Sequence, residues 1–264
     1  MVLRYKTHSS YVIIVIMKLM NNLLNDSKQI VFIDFEGTQL TQEIIAIGAI
    51  KVDLDNKHRI KKAYKPFKVF IRAEGVVGPI VTELTGITDI FLFQHGLTFK
   101  EALEKFEAYC GKNLTFVKFM TYGNFDMRLL HQTALQNSLE DDDFIHAIYK
   151  KYIDFANVIS RFVRSNRNET LSLFDALRKF EITPQGNAHD PESDAINLSL
   201  LYNAFLTEKN IVREEYQKVL LNNPKLPRPI QRAISELVLN GQINMEQFEH
   251  FIDEDLKWSN LHLE

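Results

Sequence analysis

Residues 29–38, which read Gln-Ile-Val-Phe-Ile-Asp-Phe-Glu-Gly-Thr, are the stretch that decides the fold. The apolar run at 30–33 predicts a buried strand. Because side chains alternate across a strand, Asp34 and Glu36 point to the same side. Two acids at the end of an apolar strand are costly unless something compensates their charge, and a divalent cation does so naturally. For this motif alone, a strand that runs out into solvent with both acids hydrated is the better interpretation.

A second motif, which contains Asp126, follows the fourth predicted strand, residues 114–120. Residues 121–126 read Thr-Tyr-Gly-Asn-Phe-Asp and open a helix predicted over 124–136, so Asp126 lies in a first helical turn. Backbone N–H groups favour a carboxylate at that position. Taken alone, Asp126 is explained as a helix-start acid, and we expect Phe125 and Leu129 to lie in the core.

A third group of acids surrounds a histidine at residues 189–194, which read His-Asp-Pro-Glu-Ser-Asp. Asp190 is a good N-cap and Pro191 suits the first helical position. Asp194 then lies about one turn into the helix, while His189 stays outside on the preceding loop. A fixed acid beside a mobile imidazole suits a metal ligand and a general base. The alternative is a surface histidine beside a capped helix.

The order of predicted elements indicates a mixed α/β sheet, because strands without intervening helices are followed by strands that alternate with helices. The predicted strands are 29–36, 43–53, 60–72 and 114–120, with a short strand and a helix within 153–163. The predicted helices are 98–111, 124–136, 170–180 and 191–206. Prolines break the chain after Asn210, and 211–264 reads as a small helical appendage. The main domain is predicted over 28–210. Residues 1–27 are either an extra strand or helix packed on that domain or, as we favour, an extension that precedes a true start at Met17 or Met20.

The bulk composition limits the class of protein. The net charge of −3 and the sequence pI of about 6.3 give no sign of a broadly basic surface for duplex binding. Cys110 is the only cysteine, which excludes an internal disulfide and a cysteine-based zinc site and favours the cytoplasm. The apolar run at 11–17 is too short to span a bilayer, which takes about 20 residues, so no membrane association is predicted.

Between Asn56 and Ala73 all charged residues are basic: Lys57, Arg59, Lys61, Lys62, Lys65, Lys68 and Arg72. Such a stretch would suit a phosphate backbone, with salt-sensitive binding. An edge strand protected from aggregation by lysines has the same pattern, and we favour that interpretation.

Together, the acids and the histidine are far more specific than each motif alone. Their order and spacing resemble the DEDDh exonuclease superfamily, which includes ribonuclease T and the proofreading subunit of a bacterial replicative polymerase. Asp34 and Glu36 match its first motif and Asp126 its second. His189 and Asp194, with four residues between them, match the third.

Within the superfamily the chain looks most like the KapD and ERI-1 type. The segments that carry this likeness are 34–38 (Asp-Phe-Glu-Gly-Thr) and 83–88 (Glu-Leu-Thr-Gly-Ile-Thr), together with Asn197. The resemblance covers roughly residues 28–207. The segment between His189 and Asp194 departs from the family pattern, since it is more acidic and contains a proline.

The resemblance implies a ribonuclease H-like fold and two Mg²⁺ or Mn²⁺ ions. Asp34 would bridge the two ions, Glu36 and Asp194 would complete one site, and Asp126 would act in the other through water. His189 would take a proton from the attacking water, and the products would be nucleoside 5′-monophosphates.

The resemblance also suggests residues for the substrate side. Leu84 and the turn at 85–87 would line the pocket of the terminal base, Phe35 would stack on a base, and Thr38 would contact substrate. Core packing is the alternative for Leu84, and it is the more common role for an aromatic on a buried strand such as Phe35. The expected partners are single-stranded 3′ ends, with RNA favoured and DNA as the alternative. A catalytically idle binding module and a phosphoesterase for small nucleotides are further alternatives.

Overall fold

A six-stranded β-sheet forms the centre of the computed structural model, which describes residues 9–260. The strands run in the order β3-β2-β1-β5-β6, and β4 also pairs with β2. Their bounds are β1 Gln29–Gly37, β2 Ile44–Leu54, β3 Ile60–Ala63, β4 Phe67–Phe70, β5 Val117–Thr121 and β6 Tyr152–Asp154. This is the mixed α/β sheet that the sequence predicted.

Twelve helices within the described residues surround the sheet or follow it. The first six are α1 Ser9–Leu24, α2 Pro79–Thr85, α3 Asp89–His95, α4 Phe99–Cys110, α5 Phe125–Gln136 and α6 Asp143–Lys150. The last six are α7 Phe155–Ile159, α8 Leu173–Lys179, α9 Pro191–Thr207, α10 Lys209–Leu221, α11 Arg228–Asn240 and α12 Met245–Asn260. No helix in this part of the chain is long and apolar enough to cross a membrane.

The directions of the central strands bring separate motifs to one end of the sheet. β1 is antiparallel to β2 and parallel to β5, and β5 is parallel to β6. The carboxyl ends of β1 and β5 therefore lie side by side, as in other sheets that bind ligands beyond their strand ends. Asp34 and Glu36 lie at the end of β1, and Asp126 follows the end of β5.

Strand β1 divides its side chains between two apolar cores. Ile30 and Phe32 face the core built with α1 and α7–α10, whereas Val31, Ile33 and Phe35 face the core built with α4, α5 and α6. Each fully buried side chain of this size stabilises the fold by about 1.5–3 kcal/mol. The period of two places Asp34 and Glu36 on the Phe32 face, which α9 covers.

The strand predicted over 60–72 is two strands. β3 pairs with β2 at Val52–Leu54 and β4 pairs with β2 at Ala46–Ala49, and residues 64–66 interrupt the ladder. Pro66 has no N–H to donate to a ladder, which explains the break. β3 lies at the edge of the sheet, as expected for a strand rich in lysine.

Three short helices were missed by the sequence analysis: α2, α3 and α6. Residues 140–142 form the turn before α6, and Asp142 caps that helix by accepting hydrogen bonds from the backbone N–H groups of Phe144 and Ile145. Helices of seven or eight residues show too few turns for a clear apolar period.

The described residues before β1 and after α9 are helical. Helices α1 and α10 pack on the main core, and α11 and α12 follow them. The buried face of α1 consists of Ile16, Met20 and Leu24, which belong to the same core as α9. After α9, helix α10 places Val212 in that core, and α11 and α12 pair with each other. The proposed start at Met17 or Met20 and the domain limits at 28 and 210 stay predictions.

Candidate active site

The first two acids, Asp34 and Glu36, lie in the C-terminal part of β1. Asp34 pairs with Gly48 of β2 and Glu36 pairs with Ala46, so small residues lie beside both acids. Both side chains are partly buried. The strand thereby presents two carboxylates, on one face, to the start of α9.

The third acid is held directly against the first motif. Asp126 lies in the first turn of α5 and is buried. Its Oδ1 accepts a hydrogen bond of 2.8 Å from the backbone N–H of Phe35. Because Phe35 lies between Asp34 and Glu36 in the chain, this bond fixes Asp126 next to both of them.

The fourth acid and the histidine come from the start of α9. Asp190 caps the helix and accepts hydrogen bonds from Ser193, and Pro191 takes the first helical position, as the sequence predicted. Asp194 is buried, and its Oδ2 accepts a hydrogen bond of 3.0 Å from the backbone N–H of His189. The Nδ1 atom of His189 lies 3.9 Å from Oε1 of Glu36.

The four carboxyl groups disturb one another electrostatically. Burial raises the pKa of Asp34 well above its usual range, and the carboxylates of Asp126, Glu36 and Asp194 raise it further. Burial, with Asp194 and Asp126 nearby, raises the pKa of Glu36 to about 8. Burial raises the pKa of Asp126 to about 7, although the Phe35 hydrogen bond lowers it. Such a cluster is stable in its ionised form only with a compensating positive charge.

The donor atoms of the cluster fit a divalent cation. Glu36, His189 and Asp194 each offer one ligand atom, and these atoms lie within 4.8 Å of one another. Within residues 9–260, Oδ1 of Asp194 is one of the few buried side-chain atoms without a hydrogen-bond partner. A buried carboxylate oxygen left free in this way is suited to a metal ion. The predominance of oxygen favours hard cations.

Of the substrate-side residues predicted from the sequence, Leu84 is accessible. It lies on α2 and is 49% exposed. The turn at 85–87 and His189 line one cavity of about 130 Å³, so this turn lies close to the histidine. The structure therefore brings the turn at 85–87 next to His189, although the base pocket stays a prediction.

Phe35 and Thr38 are placed differently from the prediction. Phe35 is 4% exposed and packs in the core beneath the sheet, because its position in β1 faces away from the acids; it offers no free ring face to a base. The Thr38 side chain is also buried, and its hydroxyl lies 2.7 Å from that of Thr41 and accepts from the Glu43 N–H. Thr38 closes the loop after β1.

Two residues near the acids were not predicted for the site. Phe125 was expected in the core but is 46% exposed, and Arg128 lies over its ring. Phe125 is the first residue of α5, and this position at the end of the helix was the available sequence signal for its exposure. Asp154 ends β6 and accepts hydrogen bonds from Gly123 and Asn157, so it holds the turn that leads to Asp126.

Solved structures with a similar fold are nucleases. The nuclease domain of 3′hExo, a DEDDh family member bound to rAMP, has a TM-score of 0.58 and 21% identity over 70% of this chain and 94% of that one. Cell-death related nuclease 4 has a TM-score of 0.58 and 16% identity, over 69% and 65% of the two chains. E. coli exonuclease I, in complex with a dT13 oligonucleotide, has a TM-score of 0.55 and 15% identity, over 71% and 43%.

These likenesses confirm the ribonuclease H-like exonuclease fold. Comparison with curated protein sequences finds no significant match. The family model described as Exonuclease, RNase_T, matches residues 31–202, a range that contains all four acids and His189. The chain therefore belongs to the RNase_T exonuclease family, within the DEDDh exonuclease superfamily.

Proposed function

We propose that the protein hydrolyses single-stranded nucleic acid from its 3′ end, with two divalent metal ions, and releases nucleoside 5′-monophosphates. The observation that carries this proposal is the convergence of four acids from β1, α5 and α9 beside one imidazole. Acids at this density are poorly suited to a binding module, because they repel phosphates unless cations lie between them.

The four acids would supply ligands for two metal ions. Asp34, Glu36 and Asp194 would hold one ion, and Asp34 with Asp126 would hold the other. Bound divalent ions would neutralise phosphate charge and orient the phosphodiester for in-line displacement. Mg²⁺ and Mn²⁺ both accept such oxygen ligands.

His189 is the group suited to move a proton. Its side chain is half exposed, so water reaches it, while its backbone is tied to Asp194. An imidazole nitrogen can accept a proton, which suits a general base for the attacking water. Glu36, 3.9 Å from Nδ1, would stabilise the imidazolium formed.

RNA is the preferred substrate in this proposal. The reasons are the likeness to the KapD and ERI-1 type and the similarity to the 3′-exonuclease whose structure concerns 3′-end recognition of histone mRNA stem-loop. DNA is the second candidate, because exonuclease I, which shares the fold, was solved with a dT13 oligonucleotide. Exposed apolar side chains at Leu84 and Phe125 would serve either nucleic acid by contact with a base.

The decisive experiment offers matched RNA and DNA oligomers, labelled at either end, with Mg²⁺ or Mn²⁺. We expect ladders that shorten from the 3′ end and mononucleotide products, with faster loss of RNA. Chelation of the metal should stop the reaction. Binding without any cleavage at every metal concentration would show instead an idle binding module. Cleavage of a dinucleotide but not of a longer oligomer would show a small-nucleotide phosphoesterase.

A further inference from the structure

Lys68 stands in the same cross-strand row as the proposed metal ligand Asp34. Asp34 pairs with Gly48 across the first ladder, and Gly48 pairs with Lys68 across the next. Residues opposite one another in a sheet share a face, so Lys68 lies on the face of the acids. Its Cα is two strand spacings, about 10 Å, from that of Asp34.

The start of α9 fills the space between those two residues. A Cβ atom on Gly48 would overlap the backbone of Pro191 and Glu192, so the helix backbone rests directly on this glycine. Pro191 itself is buried. The chain that bears His189 thus enters the site between Asp34 and Lys68.

Lys68 contacts the start of α9 through Asp190. Its ammonium forms an ion pair with Oδ1 of Asp190, and the two side chains are 29% and 28% exposed. The other carboxylate oxygen, Oδ2, accepts the 2.7 Å hydrogen bond from the hydroxyl of Ser193. One oxygen of Asp190 therefore caps α9 while the other ties it to β4.

His189 is the residue whose position depends on this tie. Its backbone has φ of 60°, in the left-handed region that only some residues tolerate at modest cost. Two neighbouring contacts hold it there: its own N–H to Asp194, and the anchoring of the next residue, Asp190, by Lys68. Without the second contact the imidazole would be free to swing away from Glu36.

We propose that Lys68 is a positioning residue for the reaction, which acts through Asp190 to hold the start of α9 and the imidazole of His189 against Glu36. This inference rests on the proposed function, because it concerns the residue assigned as general base. The proposal gives Lys68 a different role from the other basic residues of 57–72, which we interpret as protecting the edge of the sheet from aggregation.

A direct contact between Lys68 and a substrate phosphate is the competing explanation. Lys68 lines the same small cavity as His189, so its ammonium is close enough to the site to consider this. A phosphate contact would make Lys68 important for binding and leave Asp190 unimportant. A positioning role makes the two residues interdependent.

The test compares Lys68→Met, Asp190→Asn and the double variant with the full-length wild type under saturating Mn²⁺. Asn is as good an N-cap as Asp, so Asp190→Asn keeps the helix cap and removes only the charge. We expect each single variant to lower kcat about tenfold with little change in KM, as for a displaced catalytic group. The double variant should be no worse than either, and Lys68→Arg should restore most of the activity. Lys65→Met, an exposed lysine of the same edge, is the matched control.

Hydrogen–deuterium exchange of metal-free protein gives a readout independent of turnover. Both single variants should speed exchange in a peptide covering 187–194, and Lys65→Met should not. Unchanged kcat and unchanged exchange in Lys68→Met would overturn the proposal. A raised KM in Lys68→Met with a silent Asp190→Asn would overturn it in favour of phosphate contact. A wild type without nuclease activity would sink the proposed function, while the exchange result would still decide whether Lys68 anchors the loop.

Discussion

The backbone N–H of Phe35 donates a 2.8 Å hydrogen bond to Oδ1 of Asp126, which joins β1 to the start of α5 across 91 residues of sequence. One contact thereby couples the first and second acidic motifs. It also gives the two oxygens of Asp126 different roles under the proposed function: Oδ1 serves the fold, and Oδ2 would serve a metal ion. The two roles are separable by substitution.

We expect Asp126→Asn and Asp126→Leu both to lose nuclease activity but to differ in stability. Asn keeps an oxygen acceptor for the Phe35 N–H, whereas Leu leaves that buried donor unpaired, which costs about 1–3 kcal/mol. Urea unfolding in the presence of chelator measures the difference. Equal stability of the two variants would contradict the structural role of the bond.

Asp34→Asn should abolish mononucleotide release and at the same time raise the melting temperature of the metal-free protein. The reason is that burial, and then the neighbouring Asp126, Glu36 and Asp194, disfavour the ionised form of Asp34 in the folded protein and raise its pKa, whereas Asn is neutral at every pH. A gain of about 1 kcal/mol corresponds to a rise of roughly 2–4 °C. Thermal unfolding with EDTA measures it.

The control for this prediction is Asp141→Asn, which removes an exposed acid outside the cluster. It should leave both activity and melting temperature unchanged. Full activity of purified Asp34→Asn would refute the assigned site, and a lower melting temperature without metal would refute the destabilising effect of ionised Asp34.

The stability of the metal-free protein should fall as pH rises from about 4.5 to 8. Glu36 and Asp126 have ordinary pKa values of 4.5 and 3.8, and burial with neighbouring acids raises them to about 8 and about 7. The folded state then holds protons that the unfolded state has released, so raising the pH favours unfolding. Above pH 8 this contribution no longer changes.

Thermal unfolding with EDTA across that pH range measures this dependence for the wild type and for Glu36→Gln. The difference between the two proteins isolates the contribution of Glu36, because the other titrating groups are common to both. The slope should be smaller in Glu36→Gln, and Mn²⁺ should flatten the wild-type slope at pH 7–8. A wild-type slope identical to that of the variant would show that the cluster does not hold these protons.

Leu84→Ala should weaken substrate binding without harming the fold. The side chain is 49% exposed, so its loss should change stability by no more than about 0.5 kcal/mol. Loss of the apolar area that Leu84 would bury against a base, worth about 1 kcal/mol, should raise KM about fivefold with kcat nearly unchanged. Steady-state kinetics on a short RNA measures both constants. Leu239→Ala, an exposed leucine of α11, is the control, and an unchanged KM in Leu84→Ala would remove Leu84 from the substrate side.

Much of the site was readable from sequence because each motif sits where a regular element ends. The alternation of β1 fixed the common face of Asp34 and Glu36, and the cap at Asp190 fixed the start of α9. The base-stacking role of Phe35 failed for the same reason: its own alternation turns it into the core. Phe125 was expected in the core because it lies four residues before the buried Leu129, but at the first position of α5 its side chain is 46% exposed.

The sequence by itself determined the types of residue and their order: four acids, one histidine, and the strand and helix ends that bear them. Local rules suffice for that, since pleating and capping depend on neighbours within a few residues. Only the tertiary structure decided that Phe35 binds Asp126, that Gly48 seats Pro191, and that Lys68 meets Asp190. Those contacts depend on strand register and on how helices pack, which are set by the burial of side chains far apart in the chain.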